Sequence, residues 1–352
     1  MHASTVSPTA SRDIRAAWHE LKSTRKLHNR DAAEVLGISE AELLASAIGA
    51  GVTRLDGDFR DLLKRVPELG TVMALTRNES CVHEKDGVYS NISAENMVGL
   101  VLGEQIDLRL FFSHWNLGYA LEEETPRGTQ RSFQFYDACG EAMHKIFLRP
   151  VSDIAAFQRL VEAFTSANQA PIETVLPAPG RELPRSDDKI DVAGLQAAWA
   201  GLKDTHEFFG LLKKFGVART QALRLAGRDF ARQLPNEAIR AALETAATER
   251  LEIMIFVGNR GCIQIHTGPV SNVRVMEQWV NVLDPGFNLH LRQDRVAESW
   301  VVTKPTSEGP VTSLELFDAD GDTIAMLFGK RKPGKPELQT WRGLLDHLFP
   351  AR

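Results

Sequence analysis

The sequence predicts an α+β fold made by tandem duplication, each half a helical cluster followed by a large antiparallel sheet. Three observations carry this. The chain matches itself at one constant shift of 181 positions: Ala16-Ala17-Trp18 recurs as Ala197-Ala198-Trp199, and Met73, Asn78 and Cys81 recur as Met254, Asn259 and Cys262. Helical and β-rich patterns are segregated within each half instead of alternating, which disfavours a parallel βαβ sheet. The length, 352 residues, suits two domains.

The match continues through Gly87, Ser90 and Asn91 onto Gly268, Ser271 and Asn272, and through Asp137-Ala138 and Gly140 onto Asp318-Ala319 and Gly321. About twenty identities over about 130 positions far exceed the chance rate of about one in fifteen. Two copies do not make a solenoid, which needs three or more small units. The expected domains are 1–168 and 192–352, joined by a linker at 169–191 that carries Pro171, Pro177, Pro179 and Pro184.

In the first copy, amphipathic periodicity predicts helices over 11–24, 30–37, 39–49 and 58–66, with Ser39 and Glu42 as a capping box. Alternating or β-rich runs predict strands over 71–76, 80–85, 106–112, 115–122, 131–137 and 142–148. Lys85-Asp86-Gly87 and Ala138-Cys139-Gly140 read as hairpin turns, and a helix over 153–168 closes the half.

Composition excludes several classes. Hydrophobic residues make up 43% and charged residues 25%, which is globular usage. No uncharged stretch approaches the ~18–20 residues of a membrane span, and MHASTVSPTASRD lacks the apolar core of a secretory signal. Three scattered cysteines do not form a disulfide framework, so a cytoplasmic location is expected. A net charge of −5 gives no bulk attraction to nucleic acid.

Sharp chemical differences between the copies mark candidates for a one-sided function. Arg25 becomes His206, Arg109 becomes His290, and Glu123 becomes Lys304; Arg219 falls opposite the uncharged or acidic stretch 38–40. Leu195, Trp199, Leu202, His206 and Phe209 step along one stripe of a predicted helix. Two readings of His206 stand: a hydrogen-bonded core residue, or an imidazole presented to an apolar space where Gly210 leaves room for a flat group. A haem iron takes such a ligand. Arg109 lies between Leu108 and Leu110 on the face shared with Asp107 and Phe111. It is either a solvated, Asp107-paired side chain or a guanidinium aimed into a cleft.

Other signals are weak. Residues 329–335 spell GxxxxGK, but Pro336 stands where a nucleotide-binding loop needs Ser or Thr, and no aromatic interleaving supports a nucleic-acid patch. Cys81/His83 and Cys262/His266 do not supply four zinc ligands, and their spacings differ. No CxxCH, GxSxG or HExxH occurs.

The segments RDAAEVLGISEAELLAS, IDLRLFFSHWNLGYAL, KDTHEFFGLLKKFGVARTQALRLAG, WVVTKP and FDADGDTIAMLFGKRKPG together resemble the HemS/ChuS family of bacterial cytoplasmic haem-trafficking and hemin-degrading proteins. The resemblance covers about residues 12–350 and includes the duplication. It implies a haem b held in a cleft between the halves, with His206 as the iron ligand and Arg109 on the opposite face. Arg219, Lys304 and Arg331 would hold the propionates or line that end of the cleft. Phe328 stands where family members commonly carry tyrosine, which removes one phenolic hydrogen bond, and Met326 stands where some relatives have a polar residue. The implied function is accepting imported haem and passing it on or degrading it to release iron. The implied partners are a haem importer and a haem oxygenase or reductase. The alternative is a haem oxygenase-type enzyme that opens the macrocycle with O₂ and external electrons, with Arg109 as its distal catalytic group.

Overall fold

The structure, a computed structural model, describes residues 8–181, 183–331 and 336–350. Part of the GxxxxGK run, residues 332–335, and the first half of the N-terminal segment read above therefore lie outside the described residues. The first half contains α1 (Pro8–Arg25), α2 (Asn29–Leu36), α3 (Glu40–Ala45), β1 (Val52–Leu55), α4 (Phe59–Arg65), β2 (Val72–Arg77), β3 (Cys81–Gly87), β4 (Ile92–Ser93), β5 (Val98–Leu102), β6 (Asp107–Phe111), β7 (Leu117–Thr125), β8 (Gly128–Tyr136), β9 (Ala142–Leu148) and α5 (Ile154–Phe164). The second contains α6 (Val192–Ala200), α7 (Glu207–Phe215), α8 (Arg219–Leu225), β10 (Ala231–Leu234), α9 (Ala238–Glu249), β11 (Glu252–Gly258), β12 (Cys262–Pro269), β13 (Val273–Met276), β14 (Trp279–Asp284), β15 (Phe287–Arg292), β16 (Glu298–Lys304), β17 (Val311–Phe317), β18 (Thr323–Gly329) and α10 (Gln339–Leu348).

The α+β class and the duplication hold. The strand order β1-β7-β8-β9-β2-β3 recurs as β10-β16-β17-β18-β11-β12, and β6-β5-β4 recurs as β15-β14-β13. Neighbouring strands pair antiparallel. The Ser39/Glu42 capping box forms, and residues 138–140 make the turn between β8 and β9. Lys85-Asp86-Gly87 is not a turn but the end of β3. Gly87 serves close packing there, since a Cβ would lie 2.6 Å from Cβ of Gln105. The β2–β3 turn falls earlier, at Asn78, whose amide reaches the Cys81 carbonyl at 3.0 Å. The closing helix stops at Phe164 because Thr165 bridges to Leu55 and the Ser166 amide bonds Arg54.

Each compact unit borrows six residues from the other half of the sequence. The first unit comprises 1–77, 84–179 and Asn259–Gln264; the second comprises Asn78–His83, 180–258 and 265–352. The borrowed segments are equivalent under the 181-residue shift, and each is pinned by its leading asparagine. In the second unit, Asn78 Nδ2 donates to the carbonyls of Ile324 (2.8 Å) and Gly258 (3.2 Å), while Oδ1 accepts from the amides of Ser80 and Cys81. In the first unit, Asn259 repeats this with Met143 (2.9 Å), Arg77 (2.8 Å), Gly261 and Cys262. The Phe111 amide then bonds Gly261 in one unit as the Arg292 amide bonds Ser80 in the other. Cys262 packs into the apolar core of the first unit and Cys81 into that of the second.

The proline-bearing segment is irregular but anchored. Arg54 ion-pairs with Glu173, Tyr119 donates to the same carboxylate, and the Leu176 amide bonds Ala138 in the first unit. In the second, Asp187 accepts from Gln221 and Arg224. No helix among the described residues is long and apolar enough to cross a membrane.

The copies diverge inside the core. In the first unit the buried His144 ring bonds Tyr89 Oη through Nε2 (2.6 Å) and Thr76 Oγ1 through Nδ1 (2.9 Å), and Thr76 lies 3.3 Å from Cys262 Sγ. Trp115 stacks on the imidazole and donates to the Gly261 carbonyl. The equivalent positions of the second copy are aliphatic: Val257, Val270, Ala325 and Val296. Burial pushes the His144 imidazole down to about 3.

Two outcomes follow for stability. Asn259→Ala strips five bonds from part-buried backbone groups, the four named above and a fifth to the Ala142 carbonyl at 3.3 Å, and is expected to cost ~2–4 kcal/mol, read from urea unfolding with intact wild-type slope. His144 stays neutral when folded but takes a proton near pH 6.5 when unfolded, so stability falls between about pH 6.5 and 3 by up to ~1.4 kcal/mol per pH unit. Unfolding curves at pH 6.5 and 4.5 should converge for His144→Gln, relative to wild type; an unchanged pH slope would show the ring carries no such linkage.

Candidate functional site

Of the residues singled out by copy comparison, His206, Arg219 and Lys304 belong to the second unit and Arg109 to the first; His290, also in the second unit, lies on β15 with Nδ1 bonded to Asn281 Oδ1. Strands β17 and β18 pair with Ser313 opposite Phe328 and Glu315 opposite Met326, and β11 adds Met254 opposite Phe328 and Phe256 opposite Met326. Cross-strand partners share a face, so Ser313, Glu315, Met326, Phe328, Met254 and Phe256 lie on one side of the sheet. Val302 opposite Ser313 puts Lys304 of β16 on that side as well.

Helices α6–α8 cover the β16 end of this face with Trp199, Phe208, Leu211 and Leu223. At the β11 end Met254, Phe256, Met326 and Phe328 stay half-buried, and Phe328 meets Phe256 edge to face at 5.0 Å. An apolar shelf results, bordered by the covered helical core.

At the border sits a cluster of three charges. Glu315, wholly buried, accepts from Lys304 Nζ (2.7 Å) and Ser313 Oγ (2.8 Å) through Oε1, and from Arg219 Nη2 (2.7 Å) and Nε (2.9 Å) through Oε2. Burial by itself would raise the Glu315 carboxyl, but the Arg219 and Lys304 charges outweigh it and hold it down at about 2. Burial pushes the Lys304 ammonium down, with Glu315 opposing. The ring of Phe208 lies under both cations, 4.7 Å from Lys304 Nζ and 5.1 Å from Arg219 Cζ. Two cations against one carboxylate leave about one net positive charge. Lys304 is only 4% exposed, so the part-exposed Arg219 is the cation with a surface. It also reaches Met326 Sδ at 3.5 Å.

His206 is not on the buried stripe. The predicted continuous helix breaks after Ala200, and α7 restarts at Glu207 with His206 as its N-cap residue. Side-chain acceptors replace the helical ladder in this turn: Glu207 Oε2 takes the amides of Lys203 (2.8 Å) and Asp204 (3.2 Å), and Asp204 Oδ1 takes the amide of His206 (2.8 Å). The break shifts the pattern by one residue, so Phe208 fills the core at 2% exposure while Phe209 stands 76% exposed. The His206 side chain is 89% exposed, its Nδ1 held by Asp204 Oδ1 at 2.6 Å. The core reading of His206 is therefore overturned. Nε2 has no bond among the described residues. Exposed on the same side of α7 are Phe209, Gly210 and Lys213. The positive charge of half-buried Arg331 contributes, after the two His206 bonds, to holding the Asp204 carboxyl below its ordinary value.

Arg109 belongs to the first unit, on β6, where it ion-pairs with Asp107 as its strand neighbour. Among the described residues no group of three or more His, Cys, Asp or Glu could hold a bare metal ion. Sequence reading missed Glu315 and Asp204. Glu315 was visible as a neutral-to-acid change against Gln134 in the copy comparison, and Asp204 as an acid two residues before the histidine.

A family model described as the haemin-degrading HemS.ChuX domain matches residues 37–164 and again 216–348. The chain belongs to that family. It is 42% identical to the hemin transport protein HemS of Yersinia enterocolitica over 322 residues, spanning 91% of this chain and 92% of the relative. Among solved structures it resembles holo-PhuS, a heme-binding protein from Pseudomonas aeruginosa, with 49% identity, a TM-score of 0.93 and coverage of 96% and 98% of the two chains. It also resembles ChuS, described as an E. coli heme oxygenase, with 38% identity, a TM-score of 0.87 and coverage of 96% and 100%.

The charge cluster makes a prediction about stability. Glu315→Gln leaves Lys304 buried beside Arg219 without a counter-ion and is expected to cost ~3–5 kcal/mol in urea unfolding at pH 7. Because the folded carboxyl is held at about 2, its contribution is full above the ordinary carboxylate value of ~4.3 and is lost as pH falls through ~2. The gap between variant and wild type should therefore narrow in acid; a constant gap from pH 7 to 2.5 would refute the pairing.

Proposed function

We propose that this chain binds haem on the open face of the second unit, with His206 Nε2 as the axial ligand, and that it carries imported haem onward. One observation bears most of the weight: an imidazole 89% exposed, with Nδ1 engaged and Nε2 unbonded among the described residues, standing at the head of the helix whose Phe208 underlies the cationic cluster. A haem needs a nitrogen ligand, a flat apolar contact and cations for two carboxylates. His206, the shelf of Phe256, Met326 and Phe328 with exposed Phe209, and Arg219 with Arg331 match these three needs in kind. Lys304 supports the set from beneath, through Glu315. The family membership and the likeness to HemS and PhuS favour the same cargo. The donor and the recipient of haem would be an importer and a haem-consuming protein, and the cytoplasm would be the setting.

A second reading, ring opening with O₂ and external electrons, draws on the likeness to ChuS. Arg109 would be its distal group, and the bound haem would supply the iron at which O₂ reacts. Arg109→Ala should then abolish bilin formation while leaving hemin binding within about threefold.

Hemin titration of native and His206→Ala protein tests the first reading. Loss of the native Soret position and a drop in affinity of about tenfold or more are expected, since an axial bond is removed. An unchanged Soret band would overturn the ligand assignment. Reduction of the loaded protein under O₂ with catalase present, followed by assay of CO and bilin, separates carrier from enzyme: catalase-resistant product of one isomer supports ring opening, and bleaching that catalase abolishes supports carriage alone.

A further inference from the structure

The turn ahead of α7 is built to hold one exposed ring still. Asp204 Oδ1 receives both the backbone amide of His206, at 2.8 Å, and its Nδ1, at 2.6 Å. Glu207 closes the same turn from the other side through the amides of Lys203 and Asp204. An exposed side chain held in one orientation loses rotamer entropy, and nothing in the packing of the core requires this ring. The carboxylate dictates the tautomer of the ring: a proton shared with Asp204 must sit on Nδ1, so in the neutral ring Nε2 carries the lone pair and points away from the acceptor.

We propose that Asp204 is a positioning residue for His206, selecting the Nδ1–H tautomer and strengthening donation from Nε2 to bound iron. The iron half of this rests on the reading of His206 as the haem ligand; the tautomer half does not. A carboxylate behind a metal-bound histidine fixes ring orientation and raises ligand basicity, and its loss weakens metal binding about 10–100-fold. A more basic ligand favours ferric over ferrous iron, so removing the charge raises the reduction potential. No atom is transferred: the proton stays on Nδ1, and only its sharing with Asp204 changes.

Three variants separate this from a purely structural cap. Asp204→Asn keeps an acceptor oxygen and the turn but removes the charge, Asp204→Ala removes both, and Glu207→Gln perturbs the turn without touching the ring. In the apo protein, ¹⁵N NMR of the neutral His206 ring should report Nδ1–H in wild type, Asp204→Asn and Glu207→Gln, and a shift toward Nε2–H in Asp204→Ala. With hemin, Asp204→Asn should bind at least about tenfold more weakly, show a higher midpoint potential and a lower ferrous Fe–N(His) stretching frequency, with Glu207→Gln close to wild type. Unchanged potential and stretch in Asp204→Asn, alongside a His206→Ala protein that loses its native Soret band, overturn the inference while the ligand reading stands. An unchanged Soret band in His206→Ala overturns the ligand reading and the iron half together. An unchanged tautomer in Asp204→Ala overturns the tautomer half in either case.

Discussion

The fold depends on two asparagine side chains. Asn78 and Asn259 each saturate one amide with four or more backbone groups, and by doing so each builds a hexapeptide of one sequence half into the compact unit formed mainly by the other. An asparagine suits this because it presents a donor and an acceptor on one short, planar group. The carbonyls and amides it meets lie in part-buried surroundings, and a backbone group left unsatisfied in the interior costs about 1–3 kcal/mol. Neither half of the sequence contains the whole of either unit, so the sheet cores around Cys81 and Cys262 need both copies of the chain segment to exist.

On this shared scaffold the copies spend their buried polarity in different places. The first has Tyr89, His144 and Thr76 where the second is aliphatic, and a Lys145–Glu40 ion pair where the second has Met326 and Gln221. The second has Lys304, Glu315 and Arg219 where the first has Glu123, Gln134 and no cation. Buried charge stabilises little beyond what its desolvation costs. A cluster with one surplus positive charge beside a half-exposed apolar shelf is thus a poor device for stability, and under the proposed haem reading it is the part that meets the ligand's carboxylates.

The duplication, the α+β class and most elements were legible because side-chain periodicity and a constant shift survive in the linear order of residues. The failures have local causes. Residues 85–87 look like a turn by composition, yet Gly87 is needed for its missing Cβ against Gln105 rather than for a left-handed backbone. The stripe from Leu195 to Phe209 looks like one helix, yet Asp204 and Glu207 accept the amides that a continuous helix would have used. That competition between side-chain and backbone acceptors leaves no trace in hydrophobic spacing.

Linear pattern alone was enough to establish two copies, their α+β class and a short set of residues where their chemistry parts, because periodicity and copy differences are properties of order. It could not tell a buried histidine from an exposed one. Exposure of His206, burial of Lys304, the bridging Glu315 and the exchange of segments between units were decided by packing, since each depends on which groups from distant parts of the chain arrive at one place and satisfy one another.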